Sequence, residues 1–305
     1  MIGGYDMKLY TECFWDDWDR IVDIYVEKDD RFPEYINDDT TYKIVAVEKG
    51  TFGLKINGRD YSVKAPAIIL LSNKDKADFK IMEKIKTDIV FFNPQAVRDE
   101  FSHERIEAHD FDNQFGTIIY QDYVMILPFT NSDLTKPVIP ISLNSLERVK
   151  NIIGSLDAQL KGQKDGFWPC RSRSFLMELL YFINYSYVIV SSGDDKDKDT
   201  ETSVSFSEIV EYLNEHIGEN INLDRLTKTF LINRNKLNDI FMKESSMTCM
   251  NYLLKLRLDL AKVLLSTTQI PIGEVSVRVG FGDQNYFTKV FKKHEGMSPK
   301  AFRNQ

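Results

Sequence analysis

Polar side chains that can hydrogen-bond the edges of nucleic-acid bases cluster in two stretches of the chain, about fifty residues apart. The first stretch holds Arg234, Asn235, Lys236, Asn238 and Asp239, and the second holds Gln284, Asn285, Thr288 and Lys289. Asn and Gln can pair bidentately with adenine, and Arg or Lys with guanine. Both stretches are therefore candidate base-reading surfaces, provided that regular elements present these side chains together.

Further charged residues flank the two stretches. Lys292 and Lys293 are candidates for phosphate contacts, which position a protein on DNA without specifying sequence. Asp239 either accepts a hydrogen bond from cytosine N4 or repels phosphate, and the sequence leaves both roles open. Arg257 suits a phosphate contact or a scaffold role, and its place between the two stretches favours the scaffold.

The elements that must position these residues form a repeat in the last hundred residues. Residues 226–241 and 275–291 each read as a short helix, a tight turn and a second helix. Asn233 and Asp283 are favoured caps for the second helices. Gly280 supplies the small residue that the turn requires. Such helix-turn-helix motifs present their second helix to the major groove of DNA.

A long amphipathic helix is predicted between the two motifs, in MNYLLKLRLDLAKVLLSTT at residues 250–268. Its leucines recur at helical spacing, which indicates one buried face. A single helix-turn-helix pattern is a weak signal, because many pairs of packed helices mimic it. Two motifs joined by one helix are far more specific, and they predict an all-α DNA-binding domain over residues 205–305.

The first 140 residues read instead as β structure. Alternating runs flank Asn57-Gly58, which predicts a hairpin with a type I′ turn. The runs at 67–72 and 88–93 are short and continuously apolar, as in strands buried on both faces. We also expect strand in the apolar and aromatic stretch 116–129. Frequent short strands with turns predict a sandwich or barrel for residues 1–140.

Helical periodicity begins after that region. Leu146, Val149, Ile153 and Leu156 fall on one face of a predicted helix within 144–162. A second helix over 172–190 is apolar on more than one face, so we expect the β domain or a second subunit to cover it. Residues 141–190 are thus a candidate dimerisation segment. Residues 191–204 are charged and lack apolar periodicity, which predicts a flexible linker.

The sequence contains no recognisable catalytic or metal-binding motif. Only His103 and His109 fall within residues 1–140, with no His-x-His pair, so no metal site or cofactor is predicted. The three cysteines are not at zinc spacing, and no phosphate-loop, nucleotide or nucleophile-elbow motif occurs. An enzyme is therefore not expected.

Aromatic residues near the start offer one candidate small-molecule site. Trp15, Trp18 and Phe32 are able to line an aromatic ligand pocket. Core packing, or a contact between a helix and the barrel, explains the same residues and is the more economical interpretation.

Composition and charge bound these interpretations. The 305 residues suggest two domains, with a net charge of −7. Residues 205–305 contain 14 Lys and Arg against 11 Asp and Glu, a net charge of +3, whereas the rest of the chain carries −10. This asymmetry hints at a nucleic-acid partner for the C-terminal part. No run of 18 apolar residues, no signal-peptide pattern and three scattered cysteines lead us to expect a cytoplasmic protein without a membrane segment.

Residues 206–303 resemble the DNA-binding domain of AraC/XylS-type transcriptional regulators. The resemblance is carried by Arg257-Leu258, Ala261, Leu264-Leu265, Ile272, Gly280-Phe281, Asp283, Tyr286-Phe287, Phe291-Lys292-Lys293, Gly296, Ser298-Pro299 and Arg303. The first motif departs from the family pattern, because Thr227, Leu231 and Asn233 replace the usual Ala, Gly and Ser. We therefore expect weaker or more selective DNA contacts from that motif.

The resemblance implies an α+β multidomain fold. Its N-terminal β jelly-roll would be cupin-like, with accessory helices, and its C-terminal domain all-α with two helix-turn-helix motifs. It also implies double-stranded DNA as partner, a possible small-molecule effector bound in the N-terminal domain, and a homodimer. Two alternatives remain at this point. The N-terminal domain binds a protein partner instead of a metabolite, or the chain is a cupin enzyme with an appended helical domain.

Overall fold

The computed structural model describes residues 9–14, 21–29, 31–81, 83–114, 117–130, 137–192 and 204–304. The chain forms two compact units, an N-terminal unit of Met1–Leu180 and a C-terminal unit of Tyr181–Gln305. The predicted linker falls almost entirely on 193–203, outside the described residues. None of the described helices is long and apolar enough to cross a membrane.

Antiparallel strands build the N-terminal unit. They are β1 (Thr11–Glu12), β2 (Ile21–Val22), β3 (Ile24–Asp29), β4 (Tyr42–Lys49), β5 (Thr51–Ile56), β6 (Arg59–Lys64), β7 (Ala67–Leu71), β8 (Ala77–Ile81), β9 (Lys86–Phe92) and β10 (Val138–Pro140). One sheet has the order β10-β7-β4-β9-β3, a second the order β6-β5-β8, and β1 pairs with β2. The predicted β region is therefore confirmed.

The two larger sheets share one apolar core. Alternate residues of β5, namely Phe52, Leu54 and Ile56, pack in the same cluster as Val45 of β4 and Phe91 of β9. The hairpin prediction is confirmed, because Asn57 and Gly58 have φ values of 50° and 86° between β5 and β6. Positive φ at both positions is what a type I′ turn needs.

The helices of the N-terminal unit cover the larger sheet. They are α1 (His103–Glu107), α2 (Ile118–Thr130) and α3 (Leu143–Gly162), with 3₁₀ turns at Glu34–Asn37 and Pro94–Ala96. Helix α3 contacts β3, β4 and β9, and α2 contacts β7. Every residue of β7 is buried, as its continuous apolar sequence predicts for a strand covered on both faces.

The prediction of strand over 116–129 is wrong, because most of this stretch is helix α2. Its β-branched and aromatic residues favour strands by composition. However, Asp122, Met125, Ile126 and Phe129 are buried at spacings of three and four, which is the periodicity of a helix packed on one side. The buried Asp122 carboxylate is paired with Arg98 at 2.6 Å, so this helix tolerates an acid in its buried face.

The two helices predicted after the β region are present. In α3 the predicted apolar face, including Leu146, Val149 and Leu156, is buried. Helix α4 (Trp168–Ser192) begins in the N-terminal unit and ends in the C-terminal unit. Its side chains from Leu176 to Ile183 are largely buried within a single chain.

The C-terminal unit is helical in its described part. Beyond the end of α4 it consists of α5 (Phe206–Glu215), α6 (Leu223–Phe230), α7 (Arg234–Ser245), α8 (Cys249–Thr267), α9 (Ile272–Arg278), α10 (Gln284–Glu295) and α11 (Pro299–Arg303). The end of α4 packs within this unit, where the Tyr185 hydroxyl lies 3.1 Å from that of Tyr252 on α8. The predicted all-α domain with two helix-turn-helix motifs is confirmed.

Candidate nucleic-acid interface

The first helix-turn-helix motif consists of α6, a turn and α7. The Asn233 side chain accepts a hydrogen bond from the Lys236 backbone N–H at 2.8 Å, which makes it the N-cap of α7 as predicted. Leu231 ends α6 in the left-handed region, with φ of 53°, and its side chain is 91% exposed. Left-handed backbone normally costs a non-glycine residue about 1–2 kcal/mol. This turn therefore holds a strained leucine that contributes little packing.

The second motif consists of α9, a turn and α10. Asp283 caps α10 by accepting from the Tyr286 backbone N–H at 2.6 Å. Gly280 occupies the left-handed position of this turn, with φ of 84°. A Cβ on Gly280 would clash with the carbonyl oxygen of Ile217 and lie 2.8 Å from the Arg257 guanidinium carbon. Glycine is therefore required here both by the backbone conformation and by the lack of space.

The two motifs bury equivalent residues. From 233 to 249 and from 283 to 299, positions fifty apart share the same burial class at every residue. Leu237 and Phe241 of α7 correspond to Phe287 and Phe291 of α10, and all four are fully buried. Helices α7 and α10 therefore present equivalent outer faces, and we call them the first and second reading helices.

Most of the predicted reading residues lie on those outer faces. The exposed ones are Arg234, Asn235, Lys236 and Asp239 on the first reading helix, and Gln284, Asn285, Lys289, Lys292 and Lys293 on the second. Asn238 and Thr288 are half-buried, and both side chains are hydrogen-bonded, Asn238 to the start of α8 and Thr288 within α10. The Asn238 side chain accepts from the Cys249 backbone N–H at 3.4 Å, and the Thr288 hydroxyl donates to the Gln284 carbonyl at 2.9 Å. Of the predicted set, these two are the least available for bases.

An ion pair holds the first arginine of α7. The Arg234 guanidinium lies 2.5 Å from the Asp224 carboxylate of α6. Their hydrogen bond raises the pKa of Arg234 and lowers the pKa of Asp224, so both groups are charged at neutral pH. Both side chains are well exposed, and such pairs exchange readily for other partners in water. Arg234 is therefore oriented by Asp224 and still accessible to a ligand.

The outer faces differ in charge. Beyond its first turn, the exposed charged residues of α7 are Asp239, Lys243 and Glu244, whereas those of α10 include Lys289, Lys292 and Lys293. Asp239 is exposed and corresponds to Lys289. A groove lined with phosphates consequently attracts the second reading helix more strongly than the first.

Tyr286 was not among the predicted reading residues, because its apolar neighbours suggest that it is buried. That expectation is wrong, since its side chain is 61% exposed on α10. Its neighbours Phe281, Phe287 and Phe291 are buried. Tyr286 precedes Phe287 by one residue, which rotates it about 100° around the helix away from the core. Alignment at the fifty-residue repeat would have revealed this, because Tyr286 corresponds to the exposed Lys236.

The N-terminal candidates for a ligand site fare differently. Trp15 and Trp18 lie outside the described residues. Phe32 stacks on Phe79, with ring centroids 3.6 Å apart, and meets Phe52 edge-on. Its ring therefore has packing partners in the β unit, which is the interpretation that the sequence favoured. Within the described ranges, no group of three His, Cys, Asp or Glu side chains is placed to hold a metal ion.

A polar cluster that the sequence did not single out packs against the same apolar core as Phe32. The Glu27 carboxylate accepts hydrogen bonds from the hydroxyls of Tyr25, at 2.9 Å, and Tyr35, at 2.6 Å. These two tyrosines and Phe32 are partly buried and pack against the core shared by the two sheets. Burial raises the pKa of both tyrosines, so they remain neutral donors. The cluster combines aromatic surface with one carboxylate.

Known proteins resemble this chain, some in its C-terminal region and others over most of its length. Residues 226–305 match the family described as "Helix-turn-helix domain". The uncharacterized HTH-type transcriptional regulator YdiP of Escherichia coli (strain K12) is 29% identical over 163 residues, 52% of each chain. The HTH-type transcriptional activator RhaS of Salmonella arizonae is 20% identical over 273 residues, covering 89% of this chain and 87% of RhaS.

Among solved structures, a transcriptional regulator with an AraC-type DNA-binding domain from Chromobacterium violaceum is 25% identical. The match covers 32% of this chain and 88% of that chain, with a TM-score of 0.31. The helix-turn-helix match coincides with the two capped motifs described above, and the RhaS alignment extends across most of the chain. The chain therefore contains a helix-turn-helix domain in residues 226–305, and it is similar over most of its length to an HTH-type transcriptional activator.

Proposed function

We propose that the two reading helices bind successive major grooves on one face of a DNA duplex. The observation that carries this proposal is the identical burial pattern of 233–249 and 283–299, which gives both helices the same outer face. Helices held in successive grooves are about 34 Å apart on straight B-DNA. A single connecting helix, α8, links the two motifs and supports such a fixed separation.

The exposed polar residues take distinct roles in this proposal. Asn235, Gln284 and Asn285 are suited to adenine, and Arg234, Lys236 and Lys289 to guanine. Lys292 and Lys293 contact phosphates, which adds affinity without sequence preference. Asp239 faces the groove as an acid and therefore weakens binding unless it meets the amino group of a cytosine. Asn238 and Thr288 contribute after their hydrogen bonds to Cys249 and Gln284 break.

DNA binding of this kind depends steeply on salt. Each phosphate neutralised by Lys or Arg releases condensed counterions. A protein that makes six to ten phosphate contacts therefore loses roughly 10³–10⁵-fold in DNA affinity when the salt concentration rises from 50 to 200 mM. The test is to select a duplex from a random pool with the full chain and to titrate it over this range. We expect a loss of at least ~100-fold. An affinity that is constant across these salt concentrations contradicts the proposal.

Control of this binding is assigned to the N-terminal unit. In the proposal the unit is a cupin-like jelly-roll, and a small molecule bound within it alters DNA binding. Support comes from the core shared by two antiparallel sheets and from the cluster of Tyr25, Tyr35 and Glu27 that packs against this core. A thermal-shift screen of the full chain against sugars and other metabolites tests it. A ligand should raise the melting temperature and change DNA affinity, whereas one that changes only the former contradicts effector control.

A homodimer is also proposed, with residues 141–190 as the dimerisation segment. The buried side chains of α4 between Leu176 and Ile183 are covered within one chain, so an open apolar face no longer supports this assignment. The dimer rests on the family resemblance, in which helices after the β domain join two subunits. Sedimentation of the full chain at tens of micromolar should give a dimer, and a monomer at that concentration contradicts it.

A further inference from the structure

Arg257 of the connecting helix α8 reaches two backbone carbonyls outside that helix. Its Nε donates to the Ile217 carbonyl at 3.1 Å, and its Nη2 donates to the Glu219 carbonyl at 2.6 Å. Both acceptors belong to the loop between α5 and α6, which precedes the first motif. A planar guanidinium satisfies two such acceptors in one fixed geometry. Arg257 therefore attaches this loop to the middle of α8.

The loop is attached in turn to the first motif. The Glu219 carboxylate lies 2.7 Å from the guanidinium of Arg225 in α6. Arg225 also donates from Nε to the Tyr212 hydroxyl at 2.7 Å. Hydrogen bonds thus run from α6 through Glu219 to Arg257, and the position of α6 is tied to α8 by more than the turn that joins α7 to α8.

On its other side Arg257 meets the second motif. Its guanidinium carbon lies 5.9 Å from the centroid of the Phe281 ring, and Phe281 packs on Phe287 of the second reading helix at 5.1 Å. Gly280 leaves the space in which Arg257 and the Ile217 carbonyl approach this turn. Burial lowers the pKa of Arg257, which still carries its charge at neutral pH.

We propose that Arg257 is a positioning residue that fixes the separation and relative orientation of the two reading helices, and so sets the spacing of DNA contacts that the protein accepts. Helix α8 connects the motifs and packs against α7 of the first and α9 of the second. The contacts of Arg257 tie the loop before the first motif to the turn of the second. The inference rests on the proposal that both reading helices bind one duplex.

The test compares the full chain and its Arg257→Met variant on three duplexes. One is the duplex selected from a random pool by the full chain, and the others have one base pair added or removed between the two groove contacts. One base pair shifts a contact by about 3.4 Å along the axis. For the unmodified chain we expect about tenfold weaker binding at either altered spacing, the scale of one lost base contact. Arg257→Met should bind the original duplex about tenfold more weakly and bind all three within about twofold.

Matched variants separate positioning from charge and from unfolding. Lys255→Met removes the same charge from an exposed residue of α8 and should keep the spacing preference. Arg257→Lys keeps the charge and one donor, so it should restore part of that preference. Gly218→Ala leaves Arg257 in place but puts a Cβ 3.0 Å from the Arg278 carbonyl oxygen. It therefore disturbs the approach of the loop between α5 and α6 to the end of α9. It should weaken the spacing preference in the same direction.

The outcomes distinguish the inference from the proposed function. The role of Arg257 is overturned if Arg257→Met and Gly218→Ala each lose the same DNA affinity on all three duplexes and so keep the original spacing preference. An unmodified chain that shows no spacing preference contradicts two-groove binding itself. Urea unfolding of each variant establishes that the native fold is present. If Arg257→Met does not fold, the Gly218→Ala and Arg257→Lys results decide.

Discussion

The two helix-turn-helix motifs bury the same positions but differ in their turns and in their charges. Leu231 sits in the first turn with positive φ and its side chain in solvent, whereas Gly280 sits in the second turn beneath Arg257 and the Ile217 carbonyl. The first turn tolerates a side chain because Leu231 points into solvent and none of the described residues covers it. The second turn does not tolerate one, because the Ile217 carbonyl and the Arg257 guanidinium occupy the space that a side chain on Gly280 would need. Core positions thus define the shared fold, while turns and outer faces determine what each motif does.

The largest effect should come from adding a side chain to the second turn. Gly280→Ala places a Cβ against Ile217 and Arg257 at a backbone conformation that disfavours it. The left-handed conformation costs about 1–2 kcal/mol and overpacking costs about 1–3 kcal/mol, so unfolding free energy should fall by about 3 kcal/mol. Urea unfolding of the full chain measures it. Gly282→Ala, which has open space around its Cβ, is the control and should change little.

Next in size is the unequal contribution of the reading helices to DNA affinity. Asn285→Ala or Lys289→Ala should each weaken binding to the selected duplex by ~1–3 kcal/mol, because each removes a base contact. Asp239→Ala should leave affinity unchanged or improved, since it removes an acid that faces phosphates. Titrations at one salt concentration measure all three, with Lys80→Ala of the N-terminal unit as a control for charge. If Asp239→Ala is the most damaging, the first helix is the main reader.

The first turn offers a smaller effect of the opposite sign. Leu231→Gly relieves the left-handed strain of about 1–2 kcal/mol but adds backbone freedom to the unfolded chain, worth about 0.5–1 kcal/mol. The net result should be a gain of roughly 0.5–1 kcal/mol in unfolding free energy. Leu231→Ala keeps the strain and should give no such gain. A loss of stability in Leu231→Gly would mean that the exposed leucine makes a stabilising contact.

The smallest expected effect concerns the ion pair on the first motif. Asp224→Asn releases Arg234 and removes one acid beside the reading helix. Affinity for random-sequence duplex should rise about two- to threefold, with a steeper dependence on salt. Preference for the selected duplex should fall, because Arg234 loses the partner that orients it. Asp224→Glu should restore that preference, and an unchanged preference in Asp224→Asn would show that orientation by Asp224 is unimportant.

Local signals in the sequence were sufficient to predict much of the fold. The Asn57-Gly58 hairpin, the apolar face of α3 and the caps Asn233 and Asp283 depend on neighbouring residues alone, and each is confirmed. Helix α2 was predicted as strand because its composition favours strands, while its fold depends on the Arg98–Asp122 pair and on packing against β7. Such contacts link residues distant in sequence and are not visible in it.

The candidate interface was predictable in its location but not in its details. Residue type and the repeated motif placed Asn285 and Lys289 on an outer face, which the structure confirms. The hydrogen bond from the Cys249 N–H to Asn238 and the exposure of Tyr286 were missed, because both depend on how the helices of the C-terminal unit pack together. For Arg257 the sequence suggested only a scaffold role. Its hydrogen-bond acceptors are backbone carbonyls, which no pattern of side chains reveals.

Interference by guanine N7 methylation tests the central claim most directly, because this modification lies in the major groove. The full chain is bound to a sparsely methylated, pool-selected duplex, and the positions depleted from the bound fraction are mapped. Two clusters of interfering positions should appear, centred about 10–10.5 base pairs apart on one face of the duplex. Lys289→Ala should weaken one cluster and leave the other. A single cluster, or two on opposite faces of the duplex, would contradict reading by both helices.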